Sequence, residues 1–271
     1  MKRSAIGLFG MRIEGGNTVT AGNIASAFNG GGARFRDPLA LTIDRVWFDR
    51  NSSGSSGGGL HVLQGSASGA ARITRSAFTR NYAARDAGGL SLGQGTDISV
   101  SNSLIADNVA ESGGGGLDTY NTGSGKIELS WLTITGNYAG SQGGGMVLRG
   151  GETVGSLLVS GNNNGNATFS APDCLTLGSD TLSIGYNLIG AVGASDCAFS
   201  GDTTGNQIGV AINLAQVSMA GSDIPYAAPK REALPSARSL QHAVGADSDV
   251  TSRTISSTSA ARSTTPARSA R

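Results

Sequence analysis

Asparagine returns along this chain at Asn51, Asn81, Asn108, Asn137 and Asn162, at intervals of 30, 27, 29 and 25 residues. A recurrence of about 20–50 residues is the mark of a solenoid or propeller, in which each repeat lacks a core of its own. Eight, five and three residues before each asparagine stand three further files. The first is Ile43, Ile73, Val100, Leu129 and Val154; the second is Val46, Ser76, Ser103, Leu132 and Leu157; the third is Phe48, Phe78, Ile105, Ile134 and Val159. After each asparagine comes a glycine cluster and then a short apolar run. The final glycines, Gly32, Gly59, Gly89, Gly116 and Gly145, are spaced 27, 30, 27 and 29 residues, so both anchors keep step.

Within a repeat the apolar residues alternate with period two and no helical period competes, which predicts two or three short strands per coil separated by turns. Each strand offers few inward side chains. Only stacking on the equivalent strands above and below builds a continuous core. The expectation is therefore an all-β fold, a single-stranded right-handed parallel β-helix of about six to seven coils, its hand following the usual parallel crossover. Residues 1–215 form this solenoid and 216–271 a Ser/Ala/Thr/Arg-rich tail of disordered composition. Asn suits a tight left-handed turn and its amide can bond the amide of the next coil, giving a structural asparagine ladder. The glycines supply positive φ or close approach at turns.

Composition excludes several classes. With 43 Gly but no Gly-X-Y triplet and 6 Pro, collagen fails. Twenty Lys plus Arg balance 19 Asp plus Glu, without a basic stripe, so nucleic acid is not an expected partner. No apolar run reaches the roughly 20 residues that a transmembrane helix requires. The opening Met-Lys-Arg imitates a signal peptide, but Gly7 and Gly10 break the apolar stretch and Arg12 and Glu14 follow it, so the segment reads as the end of a coil rather than a signal.

Phe48-Asp-Arg-Asn51 and Phe78-Thr-Arg-Asn81, each followed by Gly-Gly-Leu at 58–60 and 88–90, resemble the paired FxxN and GG-aliphatic repeats of polymorphic outer membrane proteins. Cys174, the run Gly185 to Gly190, Asp196-Cys197-Ala198-Phe199 and Asp202 to Gly205 are similar to the closing segment of bacterial choice-of-anchor β-helix proteins, a group akin to CSLREA-type repeat proteins. The resemblance spans about residues 8–210. It implies export, attachment at the cell surface and an adhesin-like role, with polysaccharide or a host-surface ligand as partner and no cofactor. The chain departs from that pattern after residue 229, where seven basic residues outnumber three acidic ones and apolar periodicity ceases. A shifted reading frame or incomplete gene, lacking its natural beginning and without independent function, is a further expectation.

A polysaccharide lyase or glycosidase on the same fold would need acids converging on one face. Asp44, Asp49, Asp86, Asp97, Asp107, Glu111, Asp118, Glu128 and Glu152 instead change file from coil to coil, which predicts solvated surface charge and no catalytic residue or metal site. Asp107, Glu111 and Asp118, sharing one coil, form the residual acidic candidate. His61 and His242 make neither triad nor metal site, and His61 is expected on a strand surface. Cys174 and Cys197 lie 23 residues apart, close to one coil. That spacing fits an adjacent-coil disulfide, favoured by export, and also two buried free thiols.

Overall fold

In the computed structural model the chain is an all-β solenoid, described over residues 4–19, 28–63, 69–93, 97–120, 125–165, 172–178, 180–193, 197–210 and 212. The predicted tail and its His242 lie outside these residues. Every strand pair is parallel and the strands gather in three walls of 12, 6 and 5 strands. The first wall begins with Ala5–Glu14, Ala40–Asp49 and Ala70–Thr74 and continues coil by coil to Ser200–Asp202. The second comprises the short strands Ser52–Ser53, Tyr82–Ala83, Val109–Ala110, Tyr138–Ala139 and Asn163–Asn164; the third runs from Ala33–Arg36 to Cys174–Thr176. Among the described residues, five coils contribute a strand to all three walls. Ahead of them Asn17 bridges to Ser52 on the second wall, and after them two further described layers join the first wall.

The apolar files meet as the period predicts. Ile43 pairs Ile73, which pairs Val100, then Leu129 and Val154; Phe48 pairs Phe78, then Ile105, Ile134 and Val159. All ten side chains are buried. The Phe48 and Phe78 rings stack 5.0 Å apart at 4°. Leu60, Leu90, Leu117, Met146 and Cys174 close the core from the third wall. Each fully buried aliphatic or aromatic side chain contributes roughly 1.5–3 kcal/mol, and one coil supplies only a few of them. The stack is the cooperative unit.

The asparagines stand in single file. The Nδ2 atoms of Asn51, Asn81, Asn108 and Asn137 donate to Oδ1 of the next asparagine at 3.0, 2.9, 2.9 and 2.9 Å. Each Oδ1 also accepts the backbone N–H of the asparagine before it. The second Nδ2 hydrogen goes to a carbonyl of the preceding coil, as from Asn108 to Phe78 O at 2.9 Å. The expected left-handed asparagines are not found. Positive φ falls one residue earlier, at Arg50, Arg80, Asp107, Gly136 and Gly161, because the turn is made before the chain reverses inward and the asparagine itself is committed to the file. The glycine clusters explain the company that Asn keeps. A Cβ on Gly59 would lie 2.7 Å from Gly89 O and 3.0 Å from Asn81 Nδ2, so the last glycine of each cluster makes room for the amide beside it.

Cys174 and Cys197 are bonded, with Cα atoms 5.8 Å apart.

Candidate functional site

Stacking turns every outward position into a file along a wall, and three such files carry chemistry. On the first wall Asp49 is fully buried and accepts from Thr79 Oγ1 at 2.8 Å, from Arg80 Nε and Nη2 at 2.8 Å each, and from Arg12. Arg12 lies 4.1 Å from the centroid of the Trp47 ring, whose Nε1 donates to Thr79. Burial alone would raise the Asp49 carboxyl, but the hydrogen bonds from Thr79, Arg12 and Arg80 outweigh it and hold the group below its ordinary value. Asp44 is clasped in the same way by Arg75, at 2.8 Å twice.

The third wall carries the file Arg34, His61, Ser91, Asp118 and Val147, each paired with the next. These positions point away from the core, yet all but Arg34 are buried. The cover is the turn that precedes each strand. Positive φ at Gly57, Gly114 and Gly143 folds the backbone back so far that an added Cβ would lie 2.9 Å from His61 Cβ, 2.9 Å from Asp118 Cβ and 2.5 Å from Val147 Cγ2. His61 Nε2 lies 3.2 Å from Asn29 Nδ2, which makes Nε2 the acceptor and places the ring proton on Nδ1, where it meets no partner. Burial, aided by the charge of Arg34, pushes the imidazole down to about 4. Asp118 is gripped by Arg149 Nε and Nη2 at 2.9 and 2.7 Å. Burial, opposed by that pairing and reinforced by Asp86 and Glu152, lifts its carboxyl to about 6. Glu152 is also buried, accepting from Thr119, Thr181 and the amides of Arg149 and Gly150.

Several sequence expectations are corrected here. Asp44, Asp49, Asp118 and Glu152 are buried structural acids rather than solvated charges, because arginines, threonines and backbone amides of neighbouring coils enclose them. His61 is likewise under a turn and not on an open strand surface. Asp107, Glu111 and Asp118 do share a coil but do not converge. Asp107 occupies the turn before the second wall, Glu111 the turn after it, and Asp118 the third wall.

The second wall holds the residues that sequence reasoning missed. Its outward file is Ser52, Tyr82, Val109, Tyr138 and Asn163. Tyr82 donates to Glu111 of the next coil, and burial together with the Glu111 charge raises the phenol above its ordinary value. Tyr138 is 39% exposed, and its hydroxyl lies over Gly165, which has no side chain to lift the ring off the wall. The tyrosines are two coils apart, about 9–10 Å at the usual strand spacing, with Val109 between them. Both sit immediately after a ladder asparagine, a position that varies from coil to coil and so carries no periodic signal.

Among the described residues no group of three or more His, Cys, Asp or Glu is placed to hold a metal ion, and no helix is long and apolar enough to cross a membrane. No protein-family model, curated protein or solved structure matches the chain.

Proposed function

We propose that the protein is a non-catalytic, exported β-solenoid that binds polysaccharide along its second wall. The observation that carries this reading is the strip of Tyr82, Val109 and Tyr138. Two tyrosines held two coils apart on a rigid wall suit the apolar C–H faces of sugars, while the Tyr138 hydroxyl supplies a hydrogen bond at the edge. Parallel stacking sets that spacing without any loop having to order on binding, which lowers the entropic cost of engaging an extended chain. The Cys174–Cys197 bond supports an oxidising destination. A panel of soluble polysaccharides tested by affinity electrophoresis should retard the full chain on at least one glycan. Tyr82→Ala with Tyr138→Ala should weaken that retardation at least tenfold while leaving the melting temperature within a few degrees. Retardation by no polysaccharide, or retardation unchanged in the double variant, refutes the reading.

A further inference from the structure

We propose that the bend of the first wall carries a further site, separate from the tyrosine strip, for an acidic glycan: its carboxylate or sulfate sits between Arg45 and Arg75, and a neutral sugar lies against Trp131. Four successive coils turn through a left-handed residue at this bend, with φ of 55° at Arg45, 49° at Arg75, 49° at Asn102 and 56° at Trp131. Each directly follows one of the paired residues Asp44, Thr74, Ser101 and Ser130, so the four form a file along the wall. The coil imposes the bend, since Ser156 of the next coil shares it at 54°. It does not impose the side chain. Asn102 suits the conformation, whereas a bulky residue such as Trp131 is uncommon in it.

Charge is uneven along this file. The Asp44 side chain is only 9% exposed and meets two guanidiniums: Arg75 Nε and Nη2 donate to it at 2.8 Å each, and Arg45 Nε lies 3.3 Å away. These contacts fix both groups from below, while the arginine side chains remain 63% exposed at Arg45 and 50% at Arg75. Arg72, exposed and three residues before Arg75, adds another cation. The acid lies beneath and positive charge faces outward. At Asp49 a similar arrangement is cancelled, because Arg12, Arg50 and Arg80 face Glu14 and Asp107 as well. At Asp44 a surplus remains.

Guanidiniums held in place by a carboxylate below them suit an oxyanion with two acceptors, at little ordering cost. The rest of the file selects what bears that oxyanion. Asn102 stands one coil on, exposed; Trp131 stands two coils on from Arg75, partly exposed, about 9–10 Å away at the usual strand spacing. Thr74, Ser101 and Ser130 run beside them, with Ser101 Oγ 3.5 Å from Thr74 Oγ1. An amide, a row of hydroxyls and an indole match the hydroxyls and C–H faces of sugars. A uniformly charged partner such as nucleic acid is matched less well, because the arginines are confined to two coils and the next two expose Asp97 and Glu128.

In biolayer interferometry the full chain should bind immobilised polygalacturonate or dextran sulfate, the two arms separating carboxylate from sulfate, and binding should weaken as salt is added. Arg45→Asn with Arg72→Ser keeps the Arg75 clasp on Asp44 and a residue suited to left-handed φ. That double variant should raise the dissociation constant at least tenfold, and Trp131→Asn several-fold, with melting temperatures within a few degrees of the native chain. Tyr82→Ala with Tyr138→Ala should leave these acidic arms unchanged, and the arginine variant should leave any neutral glycan held by the tyrosines unchanged, so the two sites stand or fall separately. Binding to neither acidic glycan, binding untouched by the arginine variant, or a DNA duplex bound as tightly overturns the proposal.

Discussion

The asparagine file and the outward file of the third wall run side by side through the same coils, and they obey opposite rules. Along the first, five successive coils present Asn; along the second, the coils present Arg34, His61, Ser91, Asp118 and Val147. The reason is what each residue bonds. A ladder asparagine bonds its own counterpart, donating to one and accepting from another, so any change strands groups in two neighbouring coils. An outward residue answers to its own turn and to whichever arginine or serine is near. Identity is forced where the partner is a copy of oneself, and free where it is not.

The largest test of this contrast removes one rung. Asn108→Ala leaves the backbone N–H and Nδ2 of Asn81 and the carbonyl of Phe78 without their partners, and should cost about 4 kcal/mol by chemical denaturation. Asn51→Ala, whose Oδ1 among the described residues accepts the amide of Gly16 and whose Nδ2 serves Ile13 O, should cost distinctly less. Equal losses at the two positions would show that the file acts as separate turns rather than a chain.

The second test moves to the third wall. His61 is held neutral and pushed down to about 4, so the unfolded chain takes up a proton first. The contribution of this residue is then fully present above about pH 6.5 and declines as pH falls toward 4, by on the order of 3 kcal/mol. In His61→Leu that component of the acid loss should vanish from the urea midpoints measured between pH 7 and 4. An unchanged acid limb would mean that the imidazole is not sealed under its turn. Asp118 acts in the opposite sense, since a carboxyl raised to about 6 favours the fold at lower pH. Its contribution is present below its unfolded value and is lost as pH rises through about 6.

The smallest effect lies between the two rules. Ser103 accepts the amide of Ser76 at 3.1 Å and donates to Ser101 O, in a file whose other members include Val46 and Leu132. Ser103→Ala should cost about 1 kcal/mol. A loss as large as that of Asn108→Ala would make the serine pair a second ladder.

The same contrast decides how much was legible beforehand. The apolar files, the asparagine file and the glycine clusters could be read because they repeat, and the strand registers join those residues. The misread positions do not repeat. His61 and Asp118 follow the alternation that normally marks a wet face, but the backbone folded over them by Gly57 and Gly114 is invisible to a pattern of side chains. Asparagine is the residue type that favours left-handed φ, yet here that φ belongs to the residue before it, which is Arg in two coils and Asp in a third. The tyrosines of the second wall lay in plain view as neighbours of Asn81 and Asn137, with nothing to single them out.

The asparagine file also has a direction. Its amides all donate the same way, and the last, Asn162, gives its N–H and Nδ2 to Oδ1 of Asp173, 2.8 Å from each. Met146 N donates to Asp173 O just as Leu117 N does to Gly145 O, so Asp173 occupies the glycine file at the one level where no further asparagine needs the space. A carboxylate there receives and hands nothing on, since its other oxygen takes the amide of Ala191. It works as a terminator, much as a chain-ending monomer closes a polymer. A duplicated coil could thus be spliced in ahead of this point and inherit a working rung, whereas one added after it would find no hydrogen-bond donor waiting.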